Sequence, residues 1–289
     1  MSTYEQKKSD HCKDGASDNT NTSGNTSRID AVSDVLGRLD ISNNNDDDEL
    51  FQDPPPKEDC PICMQPMPHE NGVSGVCRVY QACCGKMLCT GCMVSSQNEM
   101  RKGRMKQWCP YCRVPLSNSE KEDLKRFKKR TKLNDAEAFF SLGMKYHYGK
   151  LGLLRNVNKA CELANRAAEL GSVRAHYNLF VIYWQGDGGI EKDTTKAMHH
   201  MKLAAIGGHE IARHYLGNVE VDNGNMDRAM KHYMIAAKSG LDDALKEVGE
   251  GYKAGHVTKD DYANTLRVHK ASQDEMKSEE RTLAASIEG

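Results

Sequence analysis

Ala138-Phe-Phe-Ser-Leu-Gly-Met-Lys-Tyr-His-Tyr-Gly149 and Ala175-His-Tyr-Asn-Leu-Phe-Val-Ile-Tyr-Trp-Gln-Gly186 are one phrase written twice. Ala212 opens a third copy, and Ala244-Leu-Lys-Glu-Val-Gly-Glu-Gly-Tyr-Lys-Ala-Gly255 is a fourth, more polar one. A second phrase follows each of the first three: Lys159-Ala160 to Gly171, Lys196-Ala197 to Ala205, and Arg228-Ala229 to Gly240. Each phrase is about three helical turns long, with small residues where two helices must approach closely. The step from a second phrase to the next first phrase never changes: Ala160 to Ala175, Ala197 to Ala212 and Ala229 to Ala244 are equal intervals. The step inside a repeat does change. Ala138 to Ala160 equals Ala175 to Ala197, but Ala212 to Ala229 is shorter, as is Ala244 to Ala263 if Ala263 opens the last second phrase. A stack of helix pairs behaves this way, because stacking fixes the turn between repeats and leaves the loop within a repeat free.

Tetratricopeptide units repeat every 34 residues or so, about the length of these full steps. Ala138 to Ala175 and Ala175 to Ala212 run slightly longer, and Ala212 to Ala244 slightly shorter. Ala-x-x-x-Leu-Gly, a Gly-rich loop, Lys-Ala and Ala-Ala-Glu-Leu-Gly together resemble Sel-1-like repeats, relatives of those units with a longer inner loop. The resemblance runs over residues 134–273, loses Gly-x-Gly in the third repeat and degenerates after Lys259. It implies an all-α helical-repeat solenoid that binds a substrate or partner protein. Residues 274–289 are expected to form a polar capping helix that frays into a tail. Tyr146, Tyr148, Tyr177, Tyr183 and Trp184 are expected mostly in the repeat core, Cys161 as a buried small residue, and His199-His200 on the surface.

Ahead of the repeats, Cys60-Pro-Ile-Cys63, Cys83-Cys84, Cys89-Thr-Gly-Cys92 and Cys109-Pro-Tyr-Cys112 place eight thiols between positions 60 and 112. A Cys-x-x-Cys pair lets two thiolates reach one tetrahedral zinc from a tight turn, and four sulfurs close the site. Closed four-sulfur zinc is structural, so this segment acts by holding a shape. One pair alone would fit a redox dithiol equally well; four do not.

The order of the pairs resembles a RING finger: a long gap from Cys63 to Cys83, a short one from Cys84 to Cys89, and a long one from Cys92 to Cys109. That resemblance implies a small zinc-stabilised α+β module over residues 57–116, with two structural zinc ions held in a cross-brace. Cys60, Cys63, Cys89 and Cys92 would hold one ion, and Cys83, Cys84, Cys109 and Cys112 the other. The position usually taken by a histidine is Lys86, so the second site rests on the adjacent pair. Adjacent side chains diverge unless the backbone turns sharply, and Cys77 or His69 is the alternative to Cys83. The resemblance further implies a ubiquitin-conjugating enzyme as partner, contacted by Ile62, Trp108 and Pro110. Arg113 stands where active RINGs hold that enzyme and its ubiquitin together. The activity so implied is that of a RING-type ubiquitin-protein ligase, which orients a charged thioester beside a substrate lysine and needs no nucleophile of its own. The alternative is a non-enzymatic zinc-finger and helical-repeat scaffold that brings proteins together.

Net charge is −1, which argues neither for nor against nucleic acid. Its distribution is uneven: residues 1–59 carry 6 Lys/Arg against 14 Asp/Glu, and residues 101–132 carry 12 against 3. Residues 1–56, rich in Ser, Thr, Asn and Asp, are expected to be a disordered acidic tail that includes the thiol of Cys12. Ile29, Val32, Leu36 and Leu39 interrupt it at near-helical spacing, as a transient helix or docking peptide, and Pro54-Pro55-Pro56 closes it. Residues 117–133 are expected to be a basic linker helix with Leu124, Phe127 and Leu133 on one face. Lys125 to Arg130 also suits nuclear import or phosphate contact, a weaker reading than a solvated face. No apolar stretch follows Met1, and none reaches the roughly 20 residues of a membrane helix. Eight of 11 cysteines fall in close pairs, the spacing of chelation and not of disulfide loops. The expectation is a soluble protein of a reducing compartment, cytoplasm or nucleus, with protein partners, no membrane and no nucleic acid.

Overall fold

The computed structural model describes residues 50–68, 77–103 and 107–288. The expectations for residues 1–49, including the 29–41 stretch and Cys12, and the alternative ligand His69 lie outside the described residues.

The cysteine segment folds as a hairpin followed by a helix. Strands β1 (Arg78–Gln81) and β2 (Lys86–Cys89) pair antiparallel, with Val79 opposite Leu88 and Gln81 opposite Lys86. Helix α1 (Thr90–Lys102) leaves directly from β2. The interior of this module is Met67, Val79, Leu88 and Met93 together with the cysteines themselves. So few apolar side chains cannot offset the entropy of ordering the segment, so it needs cross-links of another kind.

Helix α2 (Glu120–Thr131) is the linker, and it stops earlier than the apolar spacing predicts. Asn134 takes a left-handed φ of 53° and ends the turn, leaving Leu133 62 % exposed. Phe127 is buried and stacks on Tyr80 of β1 at 6.0 Å between ring centroids. The linker is thus part of the packed structure. Arg126 also donates to the Pro115 carbonyl at 3.1 Å and Arg130 pairs with Asp135 at 2.5 Å, while Lys125, Lys128 and Lys129 are exposed.

Helices then follow as antiparallel pairs: α3 (Ala136–Tyr148) with α4 (Val157–Glu169), α5 (Val173–Gln185) with α6 (Thr194–Ile206), α7 (Glu210–Asp222) with α8 (Met226–Lys238), and α9 (Asp242–Lys253) with α10 (Lys259–Glu275). Asp135, Asn156, Ser172 and Asp193 cap α3 to α6, each accepting from the backbone N–H three residues on, at 3.2, 2.8, 3.4 and 2.9 Å. The alanines that open the first phrases, Ala138, Ala175, Ala212 and Ala244, are fully buried, as are Ala197 and Ala229 of the second. Small side chains there let the helices cross at close range.

The last repeat departs from the spacing. Ala263 is exposed, and Thr265 and His269 turn inward in its place. At 17 residues, α10 is longer than the 13-residue α8 and packs across both α8 and α9. Two terminal segments also differ from their expected roles. Residues 50–56, expected in the tail, lie on the repeats with Leu50 buried. Residues 279–288, expected as cap or tail, form helix α11 (Glu279–Glu288), laid against α1 of the cysteine module. Ala284 is fully buried in that contact, and a Cβ on Gly91 would stand 2.8 Å from the Arg281 backbone, so only glycine admits the approach. Among the described residues no helix is long and apolar enough to cross a membrane.

Candidate metal centres

The eight cysteines converge as two interleaved sets. Cys60, Cys63, Cys89 and Cys92 form one and Cys83, Cys84, Cys109 and Cys112 the other, with the sulfurs of each set within 4.8 Å of one another. In the first, Cys60 and Cys92 are 3.8 Å apart and Cys63 and Cys89 3.9 Å. In the second, Cys84 and Cys109 are 4.0 Å apart and Cys83 and Cys112 3.4 Å. Four sulfurs at zinc's bonding distance in a tetrahedron stand about 3.8 Å apart, so both sets fit that ion.

The backbone explains the convergence. Cys60-Pro-Ile-Cys63 and Cys109-Pro-Tyr-Cys112 are matching turns: Met64 N–H donates to Cys60 O at 2.8 Å, and Arg113 N–H to Cys109 O at 2.9 Å. The residue after each pair, Met64 or Arg113, is left-handed, at φ 54° and 60°. Short bridges, Asp59 to Pro66 and Trp108 to Pro115, close the two turns. Cys83 and Cys84 sit in the hairpin turn, where both Cys84 and Gly85 N–H donate to Gln81 O, at 3.1 and 2.7 Å. Gly85 has a φ of 74°, and a Cβ there would strike the Arg130 guanidinium. That sharp turn aims adjacent thiols at one centre. Cys77 lies outside both sets, its Sγ 3.2 Å from Thr90 Oγ1. Lys86 also lies outside, its ammonium over the Tyr111 ring at 5.9 Å.

Left as thiols, Cys83 and Cys84 of the second set resist ionisation, whereas Cys112 is lowered, its burial outweighed by hydrogen bonds from the Val114 backbone and the neighbouring thiols. Burial pushes Cys84 up to about 11 and raises Cys83 as well, and neighbouring thiolates add to both. A bound divalent cation inverts that balance by holding the thiolate forms, at the cost of released protons.

Arg281 is the neighbour that spacing did not reveal. Its guanidinium donates to Pro66 O at 2.9 Å and Met276 O at 2.8 Å, and lies 3.6 Å from Cys63 Sγ. The arginine is buried, which works to lower its pKa, yet Cys89 and Cys63 of the first set raise it. A charge near the end of a polar helix carries no sequence signal for this role, because its partner is distant in the chain.

The remaining predicted residues are on the two turns. Ile62 is 40 % exposed on the first; on the second, Arg113 is exposed and Pro110 half-buried, with Trp108 half-buried just before it. In the repeats, Cys161 is buried, Tyr177, Tyr183 and Trp184 pack on the core, and Tyr148 is 40 % exposed. His199 is exposed, whereas His200 is half-buried. It stacks on Tyr183 at 5.8 Å and faces His176 at 3.1 Å, and burial takes its pKa down to about 4.

Fold and site together define a helical-repeat protein with a paired four-cysteine module. The family model for the Sel1 repeat matches residues 136–172 and 173–209, the segments that form the first two helix pairs. No RING family model matches the cysteine segment. Among curated proteins, the chain is similar to chitin synthase regulatory factor 4 of Schizosaccharomyces pombe, 29 % identical over 136 residues, covering 47 % of this chain and 21 % of that protein. It is also similar to chitin synthase regulatory factor 2 of the same organism, 27 % identical over 151 residues, covering 48 % and 29 %. The chain therefore spans less than a third of the length of either relative. Among solved structures, a Sel1 repeat protein from Oxalobacter formigenes aligns at 27 % identity and TM-score 0.44, over 53 % of this chain and 64 % of that one. The antigen c5321 of uropathogenic Escherichia coli aligns at 22 % and 0.38, over 57 % and 39 %.

Proposed function

We propose that the protein is a non-enzymatic adaptor: two structural zinc ions hold the cysteine module rigid, and the repeats bind a partner protein beside it. The observation that carries this reading is the double attachment of the module to the repeats. Tyr80 of β1 bonds Asp135 at the first repeat helix, and α11, continuing from the last, lies on α1. Two surfaces held in one fixed orientation present partners to each other without the entropy cost of a loose tether. The names of the two fission-yeast relatives support it, since both are regulatory factors. By that analogy the partner is an enzyme whose activity the adaptor regulates, with a chitin synthase the first to test. The reading includes a cytoplasmic or nuclear location, since zinc-binding thiolates suit a reducing compartment.

A second reading, RING-type ubiquitin ligase, is favoured by one observation, the interleaving of the two cysteine sets. In that reading Ile62, Trp108 and Pro110 contact a conjugating enzyme and Arg113 steadies its ubiquitin. Ubiquitin transfer with a panel of conjugating enzymes separates the two. The adaptor is expected to give no more product than a chelator-treated control. Zinc-dependent ubiquitin chains that disappear in Ile62→Ala and Arg113→Ala would replace the adaptor with the ligase.

A further inference from the structure

Residues 50–57, Leu-Phe-Gln-Asp-Pro-Pro-Pro-Lys, lie along α8 as a bound peptide would. Leu50 is 2 % exposed and joins the apolar cluster of Phe180, Met198, Met201 and Leu216. Its carbonyl oxygen accepts from the Arg213 guanidinium of α7. Phe51 packs on the His232 ring at 4.8 Å, with the Arg228 guanidinium 5.0 Å and the Lys231 ammonium 5.2 Å from its centroid. At the other end, Lys57 donates to the Ser239 carbonyl at the C-cap of α8, at 2.7 Å. The segment therefore follows α8 from its first turn to its end. Three consecutive prolines keep such a strand extended before it binds, which lowers the entropy lost on docking.

The seam is more basic than this occupant requires. Glu220 pairs with Arg228 at 2.8 Å. Arg213, itself 2 % exposed, has no carboxylate within ion-pair distance among the described residues and leaves its Nε without a partner. It directs its charge at two main-chain carbonyls, those of Leu50 and Ala205. A buried guanidinium is held far better by an anion than by neutral carbonyls. The sequence places Asp46-Asp47-Asp48-Glu49 immediately before Leu50.

We propose that the seam of α6, α7 and α8 is a docking site for a short peptide in which acidic residues precede a Leu-aromatic pair. Leu50-Phe51 occupies it in cis until a partner protein carrying the same pattern displaces it. The proposal rests on the adaptor reading and deepens it, since exchange at this seam is how the scaffold takes up a partner. A short tether gives the resident segment an effective concentration on the order of millimolar, so a partner peptide meets strong competition in the wild-type chain.

Fluorescence anisotropy with a labelled peptide of residues 44–58 tests this. The full chain carrying Leu50→Ser and Phe51→Ser is expected to bind the peptide at least tenfold tighter than wild type. Changing Asp46 to Glu49 of the peptide to their amides, or Arg213→Gln in the protein, is expected to weaken that binding at least tenfold. Equal affinity for the wild-type and opened chains, or binding indifferent to both changes, would overturn the proposal. If the double substitution unfolds the chain, hydrogen exchange on wild-type protein gives the same answer: saturating peptide must accelerate exchange at residues 50–57, and no acceleration overturns it. The adaptor reading fails separately, on zinc-dependent ubiquitin transfer, whether or not the peptide binds.

Discussion

The Tyr80 hydroxyl donates a 2.7 Å hydrogen bond to Oδ2 of Asp135, the residue that caps the first repeat helix. The same carboxylate accepts from Arg130 of the linker at 2.5 and 2.8 Å, so one side chain ties hairpin, linker and repeat together. Burial, then the neighbouring carboxylate, raises the Tyr80 pKa and keeps its proton in place as donor.

Asp135→Ala removes a helix cap and strands two donors at once. The expected loss of stability is about 2–4 kcal/mol, against about 1 kcal/mol for Tyr80→Phe, which leaves the Arg130 pair intact. Urea unfolding followed by circular dichroism measures both. Equal small effects would mean that the junction does not couple module to repeats.

Much of this architecture is visible in the sequence, for local reasons. Alanines at one fixed interval, from Ala160 to Ala175 and onward, reveal the helix pairs because close crossing demands a small side chain, whatever lies elsewhere. Paired cysteines reveal their sites because one turn brings both thiols to a metal. Contacts between distant segments leave no such trace. Leu50 and Phe51, set between acidic and proline-rich stretches, look solvated until Arg213 and His232 are placed beside them. Arg281 looks like a tail charge until α11 is laid on α1. Ala263 continues the alanine pattern in spacing, yet α10 turns Thr265 and His269 inward because it packs on α8, the second helix of the preceding repeat, as well as on its own partner α9.

Arg281 is expected to stabilise the first zinc site by holding its cysteine turn and offsetting the charge of four thiolates. Outer partners of metal ligands typically contribute about 10–100-fold in affinity. Arg281→Ala is therefore expected to weaken one of two zinc ions by about that factor in a chelator competition. Amide exchange along α11 should rise in the same variant. Two ions released together, both at the wild-type concentration of chelator, would place Arg281 outside this role.

The buried His232 gives docking of residues 50–57 a pH dependence. It lies against Phe51, with Arg213 of α7 and Arg228 of its own helix as the charged groups that depress it. Burial first, then those two cations, holds its pKa well below 6.5. The unfolded chain takes up that proton near 6.5 and the docked chain only at lower pH, while undocking of residues 50–57 removes part of the burial that opposes protonation. The stability it contributes is fully present above pH 6.5 and is lost progressively as pH falls below that value. Hydrogen exchange of residues 50–57, corrected for intrinsic rates, is expected to accelerate between about pH 7 and 5. His232→Gln, neutral throughout, should remove that dependence.

The most direct measurement is of metal content by native mass spectrometry of the full chain. Two zinc ions per chain are predicted, with one retained in Cys60→Ser, one in Cys83→Ser and none in the double variant. A wild-type chain with a single zinc ion, or a double variant that still holds one, would contradict the interleaved four-cysteine sites on which the rigid module depends.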